Sequence, residues 1–174
     1  MRFRLPVALA LTAVSAFSLT GCAPAPSPTP TSTDCAGVRV VVNFDVLGVA
    51  GGAESGPKDI SACAPLTSGT ETVADALAAV TITTEGTAKY GDQVVCRVNA
   101  LPAADKPFTV PGHDPYTETC ATMAPEFAYW SLWIKKGAAA WDYAAEGVAT
   151  QKVAPGDSIG LVFTTGGATP TPKN

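Results

Sequence analysis

The stretch Ala128–Tyr143, AYWSLWIKKGAAAWDY, holds all three tryptophans and two of the four tyrosines of a 174-residue chain that is only 7% aromatic. Side chains in its first half alternate between two faces, Trp130, Leu132 and Ile134 on one and Tyr129, Ser131 and Trp133 on the other. Lys135-Lys136-Gly137 reads as a turn, and the residues after it as a partner strand. The stretch therefore predicts a hairpin.

The two faces of this predicted hairpin have different characters. The face of Trp130 is wholly apolar and is predicted to be core. The face of Tyr129 and Trp133 is mixed, and uncovered rings there would mark a binding surface; the alternative is that they pack beneath the long segment 100–125. Cross-strand pairing alone would explain part of the clustering, because two more aromatic residues share one face of the second strand. The candidate ligand-binding residues are Tyr129, Trp133, Trp141 and Tyr143.

Residues 35–167 are long enough for one domain with a real core. Alternating segments at 38–45, 90–99 and 158–165, with a shorter one near 60–64, predict further strands. SGTETVADALAAV predicts the one helix, with Ser68 and Glu71 as a capping box. Its apolar positions fall on one stripe: Val73, Ala76, Leu77 and Val80. The sequence predicts an α+β domain with one helix on a mainly antiparallel sheet.

The segment 100–125 contains five prolines and little periodicity. It is too long for a passive connection in a compact domain, so it is predicted to be a functional or covering loop held by Cys120. The single histidine of the chain, His113, lies in it. A solvated loop residue beside Asp114-Pro115 and a metal ligand are both open interpretations of His113, and the first is favoured.

Five cysteines are present, and Cys22 stands apart from the other four. An even set of four in an exported chain predicts two disulfides, for which three pairings are possible. The spacing favours the two local pairs, Cys35–Cys63 and Cys96–Cys120. A metal site is disfavoured, because the chain has no CxxC pair and one histidine.

The N-terminus predicts export and anchoring. Residues 1–21 have a basic start and a short apolar run, which are typical of a signal peptide. The ending LTGC resembles the lipobox of bacterial lipoproteins, which implies lipidation of Cys22 and a place on the outer face of the cell membrane. Residues 22–34, rich in Pro, Ser and Thr, are predicted to be an extended tether, and residues 168–174 a disordered tail.

Charge excludes one class of partner. The whole chain has eleven Lys and Arg against fifteen Asp and Glu, and loss of residues 1–21 removes two arginines, which leaves a formal charge of −6. Nucleic acid is not an expected partner, because phosphate binding needs concentrated positive charge. No enzymatic activity is predicted, since the single histidine has no recognisable nucleophile partner and the carboxylates are scattered. No resident cofactor or metal is expected either.

Four segments in order carry a family resemblance: TVADAL on the predicted helix, YGDQVVCRVN, YWSLWIKKG and VAPGDSIGLVF. This order resembles the C-terminal domain of transcobalamin and intrinsic factor, as found in small secreted or lipid-anchored actinobacterial proteins. The resemblance implies a β-grasp-like fold and part of a cobalamin-binding cleft. The sequence departs from the family in two ways: Lys135-Lys136-Gly137 replaces the usual Asn-Gly turn, and the large helical domain that completes the cleft is not in this sequence.

Together these features predict a lipid-anchored, extracytoplasmic binding protein that holds a small molecule, with cobalamin as the ligand implied by the resemblance, for a membrane transporter. The alternative is an adaptor that uses the same aromatic face, or a sheet edge, on a protein partner in the envelope.

Overall fold

The computed structural model describes residues 35–49, 56–166 and 169–173. A five-stranded sheet of order β2-β1-β9-β6-β7 dominates it, with two small two-stranded sheets, β3-β8 and β4-β5. The elements are β1 (Val38–Asn43), β2 (Ile60–Ala64), β3 (Glu71–Thr72), α1 (Val73–Ala79), β4 (Thr84–Thr87), β5 (Gly91–Val98), β6 (Tyr129–Lys135), β7 (Asp142–Tyr143), β8 (Lys152–Val153) and β9 (Ser158–Thr164). β1 and β9 pair in parallel, and the other neighbours are antiparallel.

The predicted α+β class, one helix with a mainly antiparallel sheet, is confirmed. The predictions for residues 1–34, which comprise the signal peptide, Cys22 and the tether, lie outside the described residues. Among the described residues no helix has the length and apolar character needed to cross a membrane.

One face of the large sheet, called the inner face here, carries the core. Alternate residues of β1 and β9 point to it and are almost completely buried: Val38, Val40, Val42, Ile159, Leu161 and Phe163. The ring of Trp130 packs edge-on against Phe44 and Phe163, with centroids 5.6 and 5.3 Å apart. The prediction that Trp130 belongs to the core is therefore confirmed.

The N-cap lies four residues after the predicted one. Thr72, not Ser68, caps the helix, and its Oγ1 accepts the backbone N–H of Asp75 at 3.1 Å. The Asp75 carboxylate accepts the Thr72 hydroxyl at 2.6 Å and the Thr72 N–H in return, and these two bonds lower the pKa of Asp75. Glu71 instead lies in β3, where it pairs with Val153. Glu71 and Thr72, which would lie in a first helical turn capped by Ser68, pair with β8 instead.

Both disulfides form as the spacing favours, Cys35–Cys63 and Cys96–Cys120, with Cα atoms 5.6 Å apart in each. The second joins β5 to the end of the segment 100–125. The guanidinium of Arg97, 6% exposed, donates to the carbonyl oxygens of Pro102 and Glu118 in that segment and to the carboxylate of Glu85. These bonds hold the segment on the domain.

The segment 100–125 covers part of the inner face. The Trp130 Nε1–H donates to the Leu101 carbonyl at 3.0 Å, and the ring of Phe108 packs edge-on against Phe163. On the outer face, the ring of Trp133 stacks on Tyr143 and not on this segment, whereas Tyr129 lines a cleft together with Met123 of the segment.

Tyr116 in this segment gives a measurable titration. Burial, together with the Glu118 carboxylate that accepts its hydroxyl at 3.0 Å, raises the pKa of Tyr116 to about 12. Since the unfolded chain loses this proton near pH 10, the contribution to stability is present below that pH and is lost as the pH rises towards 12. We expect Tyr116→Phe to remove the highest-pH step from the tyrosinate absorbance titration. A titration unchanged by Tyr116→Phe would contradict this assignment.

The C-terminal residues 169–173, called the strap here, lie against the outer face of the sheet. The hydroxyls of Thr169 and Tyr129 are 2.7 Å apart, and the backbone of Lys173 bonds to the side chain of Asn43. The expectation of a disordered tail over 168–174 thus differs from the structure at residues 169–173, and residues 168 and 174 lie outside the described residues. Although the tail has no large apolar side chain, Pro172 packs on Gly160 and is buried.

Candidate functional site

A cleft of about 530 Å³ opens at the edge of β6, within the size range of small-molecule sites. Its walls are the start of β5, the first half of β6 and the chain that follows β7. The lining residues are Gln93, Val94, Val95, Met123, Tyr129, Trp130, Ser131, Leu132, Tyr143, Ala144, Ala145, Glu146, Gly147, Val148 and Thr150.

In the structure, the hairpin of β6 and β7 is much shorter than the sequence pattern predicts, and this leaves room for the cleft. β7 pairs with β6 only at Trp133↔Tyr143 and Ile134↔Asp142. One more hydrogen bond follows, from the Ala144 N–H to the Leu132 carbonyl at 3.0 Å. The chain then turns away, so that within the described residues no strand pairs with β6 on this side before Leu132.

The far wall forms where residues 144–150 return to β5. A Cβ at Gly147 would overlap the backbone of Asp92 and Gln93, so the loop lies directly on that strand. The turn after it is held by the N–H of Gln151, which donates to the Gly147 carbonyl at 2.9 Å. Only glycine allows this close approach, and the approach sets the width of the cleft.

Buried and exposed groups of both kinds line the cleft. Val95 and Val148 are buried and apolar, and Ser131 is buried and polar. The exposed lining residues include the polar Gln93 and Glu146 and the apolar Met123. Apolar surface with a few polar groups is typical of sites that bind small molecules.

The structure brings two of the four candidate ligand-binding residues to this cleft, Tyr129 and Tyr143. Trp133 is 6% exposed and stacks on Tyr143 with centroids 4.1 Å apart, while its Nε1–H donates to Ser131 Oγ at 3.0 Å. Trp141 is half-buried and lies outside the cleft lining. The outer-face tryptophan thus supports the ring of Tyr143 from beneath.

The two cleft tyrosines are close enough to influence each other. Burial raises the pKa of Tyr143, and the neighbouring Tyr129 hydroxyl acts in the same direction, against an opposing hydrogen bond with Thr169. With its pKa raised from 10.0, Tyr143 is uncharged at neutral pH, and so offers the cleft a neutral hydroxyl and a ring face.

Metal-ligating groups converge at one place among the described residues, Glu85 with Cys96 and Cys120. Both sulfurs are used in the disulfide, so they are not thiolate ligands. His113 is elsewhere, exposed on its loop and stacked on Phe127 at a centroid distance of 3.9 Å. Its place fits the interpretation as a solvated loop residue.

Most of the residues that line the cleft were not predicted from the sequence. Gln93, Met123 and Glu146 come from three separate segments, none of which has an aromatic or motif signal. Their meeting depends on where the hairpin ends and where Gly147 lies, which periodicity does not show. Comparisons with protein-family models, with curated proteins and with solved structures found no match to this chain.

Proposed function

We propose that this chain is an extracytoplasmic, lipid-anchored binding protein that holds a small molecule in the cleft at the β6 edge, in support of a membrane transporter. The observation that carries the proposal is the cleft of about 530 Å³, which is lined by apolar and polar groups and by two tyrosines. Anchoring through Cys22 and the tether at residues 22–34 would keep the site near the membrane surface.

The β-grasp-like fold of the transcobalamin relatives belongs to this proposal. In support of it, the first and last long strands, β1 and β9, lie parallel at the centre of the sheet, each flanked by an antiparallel neighbour. The helix falls between the two halves of that sheet in the chain. Cobalamin is accordingly the first ligand to test, and a single domain would cover one side of it.

Filling the cleft tests this function. Ala145 lines the cleft and is exposed, so Ala145→Trp places a bulky ring at its mouth without touching the core. We expect equilibrium dialysis of the mature chain against cobalamin to show saturable binding, weakened at least about tenfold by Ala145→Trp, since about 1.4 kcal/mol is one decade in affinity.

The matched control is Ala139→Trp, because Ala139 is equally exposed but lies in the turn between β6 and β7, away from the cleft. It should bind cobalamin as the unsubstituted chain does. Equal affinities for the two tryptophan variants would place the ligand elsewhere, and the absence of saturable binding at millimolar cobalamin would remove corrinoids as the ligand.

A second candidate function, an envelope adaptor, is favoured by one observation. In the described part of the chain, the β6 edge at Trp130 is left without a strand partner by the early end of β7. An extended peptide could add there through backbone hydrogen bonds. A photoreactive side chain at Met123 that crosslinks an envelope protein, with none captured from position 139, would support the adaptor; crosslinking equally from both would count against it.

A further inference from the structure

The strap contacts three strands of the outer face in succession. Its first residue, Thr169, meets Tyr129 of β6, Pro172 lies on Gly160 of β9, and Lys173 meets Asn43 of β1. Five residues in extended form advance about 12 Å, which is enough to cross the two strand spacings of about 4.8 Å between β6 and β1. We call this surface, formed by Asn43, Tyr129, Trp133 and Gly160, the strap groove.

The burial pattern of the strap has a period of three. Thr169 is half-buried, Pro170 and Thr171 are exposed, and Pro172 is buried. A residue before proline is held in the extended region, and the polyproline helix has three residues per turn, so positions i and i+3 share a face. The strap therefore presents a hydroxyl and, three residues later, a proline ring to the groove.

The groove is shaped for that proline. A Cβ at Gly160 would overlap the ring of Pro172 and would lie 3.4 Å from the Cβ of Trp133. Gly160 does not have a positive φ. Glycine is therefore needed here for the space that the proline ring occupies, and not for an unusual backbone conformation. Glycine here leaves a notch beside Trp133 that the proline ring fills.

At its far end, the groove binds main-chain atoms of the strap. The Lys173 N–H donates to Asn43 Oδ1 at 2.8 Å, and Asn43 Nδ2 donates to the Lys173 carbonyl at 3.3 Å. Asp59 accepts from the same Nδ2 at 3.0 Å and so orients the amide. Since both contacts are to the main chain, the groove does not depend on a lysine side chain at this position.

We propose that the strap groove is a recognition site for hydroxyl-Pro-Thr-Pro segments, that the strap is its built-in occupant, and that the tether segment 27–31 competes for it. The tether reads Ser27-Pro28-Thr29-Pro30, which differs from Thr169-Pro170-Thr171-Pro172 only in the first residue and keeps its hydroxyl. The residue that follows, Thr31, stands where the groove contacts backbone alone. This proposal does not rest on the cobalamin site.

Docking of the strap gives a scale for the affinity of the groove for such a segment. A segment joined to the domain by a short link has an effective concentration of about 1 mM at its site. Occupancy above nine-tenths at that concentration requires an intrinsic dissociation constant of about 0.1 mM or less for the free segment. The same competition weakens the apparent binding of an added peptide about tenfold while the strap is in place.

The test uses a synthetic peptide of residues 25–32, Ala-Pro-Ser-Pro-Thr-Pro-Thr-Ser, and the mature chain carrying Pro30→Ala so that its own tether does not compete. Pro172→Ala removes the ring that fills the notch. We expect the Pro30→Ala/Pro172→Ala chain to bind the peptide with a dissociation constant of about 0.1 mM or less, at least about tenfold tighter than Pro30→Ala alone. A chain ending at Gly167 should behave in the same way.

Two controls make the result specific. Adding Gly160→Ala fills the notch and should abolish peptide binding, and a peptide carrying Pro30→Ala should not bind. The proposal is wrong if releasing the strap does not strengthen peptide binding in either chain, or if binding persists with Gly160→Ala. Ala145 lies outside the strap groove, so Ala145→Trp is expected to leave peptide binding unchanged, and failure here and failure of the cleft are separately visible.

Discussion

Replacing Trp130 with alanine is expected to lower the free energy of unfolding by about 3–5 kcal/mol, the usual cost of removing a large buried aromatic ring. The ring is 6% exposed, packs edge-on against Phe44 and Phe163, and donates its N–H to the Leu101 carbonyl. Its loss leaves a cavity beside the core rings and removes one of the two hydrogen bonds that the Leu101 carbonyl accepts, the other coming from the Val98 N–H. Urea unfolding of the mature chain with its disulfides intact measures the change.

Trp141→Ala is the matched control, because Trp141 comes from the same aromatic stretch but is half-buried and outside the core cluster. It should cost no more than about 1 kcal/mol. Equal losses for the two alanine variants would contradict the division of this stretch into an inner core ring and outer rings.

Replacing Asp157 with alanine is expected to cost about 2–4 kcal/mol, because one buried carboxylate ties two turns together. Its oxygens accept from Lys136 Nζ at 2.8 Å, from the Ala154 N–H at 2.9 Å and from the Gly137 N–H at 3.2 Å. Without it, the turn after β6 and the turn before β9 lose their common anchor. Thermal and urea unfolding of the alanine variant measure the loss.

The pH dependence of Asp157 has a definite sign. Burial by itself would raise the pKa of Asp157, but the bonds from Lys136, Ala154 and Gly137 outweigh it and hold the pKa below 3.8. A folded pKa below the unfolded value gives stability that is present above about pH 4 and is lost as the pH falls through the folded pKa. Asp157→Asn should be less stable than the unsubstituted chain at pH 7 and should approach it in strong acid. A constant difference across this range would contradict the assignment.

The same carboxylate gives two turns a common partner. Lys136 and Gly137 lie in the turn after β6, and Asp157 belongs to the turn Pro155-Gly156-Asp157 before β9. The structure shows these two turns meeting, with the Lys136 ammonium and the Gly137 N–H on the same carboxylate. The lysine at this turn therefore has a partner within the fold.

Regular alternation made part of the fold predictable. The inner-face residues of β1 and β9 are buried as their spacing indicates, and so are Val73, Ala76 and Leu77 of the predicted helix stripe. Its fourth member, Val80, is the C-cap and is half-buried. Local cysteine spacing was also sufficient for Cys35–Cys63 and Cys96–Cys120. In each case the information lies within a short segment or in a pair of nearby residues.

The outer face could not be predicted in the same way. β9 is buried on both faces, which its alternation does not suggest, and on the outer face Pro172 of the strap lies on Gly160. A segment of Thr and Pro has no apolar periodicity, and its docking depends on a notch that exists only after β6 and β9 have paired. Trp133 was expected to be either uncovered or under the segment 100–125, and its partner is Tyr143.

The cleft depends on similar long-range facts. The sequence identified Tyr129 and Tyr143 as candidates because they are aromatic residues in one hairpin. That β7 is only two residues long, and that Gly147 brings the following loop onto β5, are consequences of tertiary packing. These two features create the site, and neither has a local signal.

The most direct test of the proposed binding site is amide NMR of the ¹⁵N-labelled mature chain during titration with cobalamin. Saturable shifts confined to the residues around the β6 edge, such as Gln93, Leu132 and Ala145, are the expected result. Saturable shifts on other surfaces, or no shifts at millimolar cobalamin, would contradict a corrinoid-binding cleft at this edge.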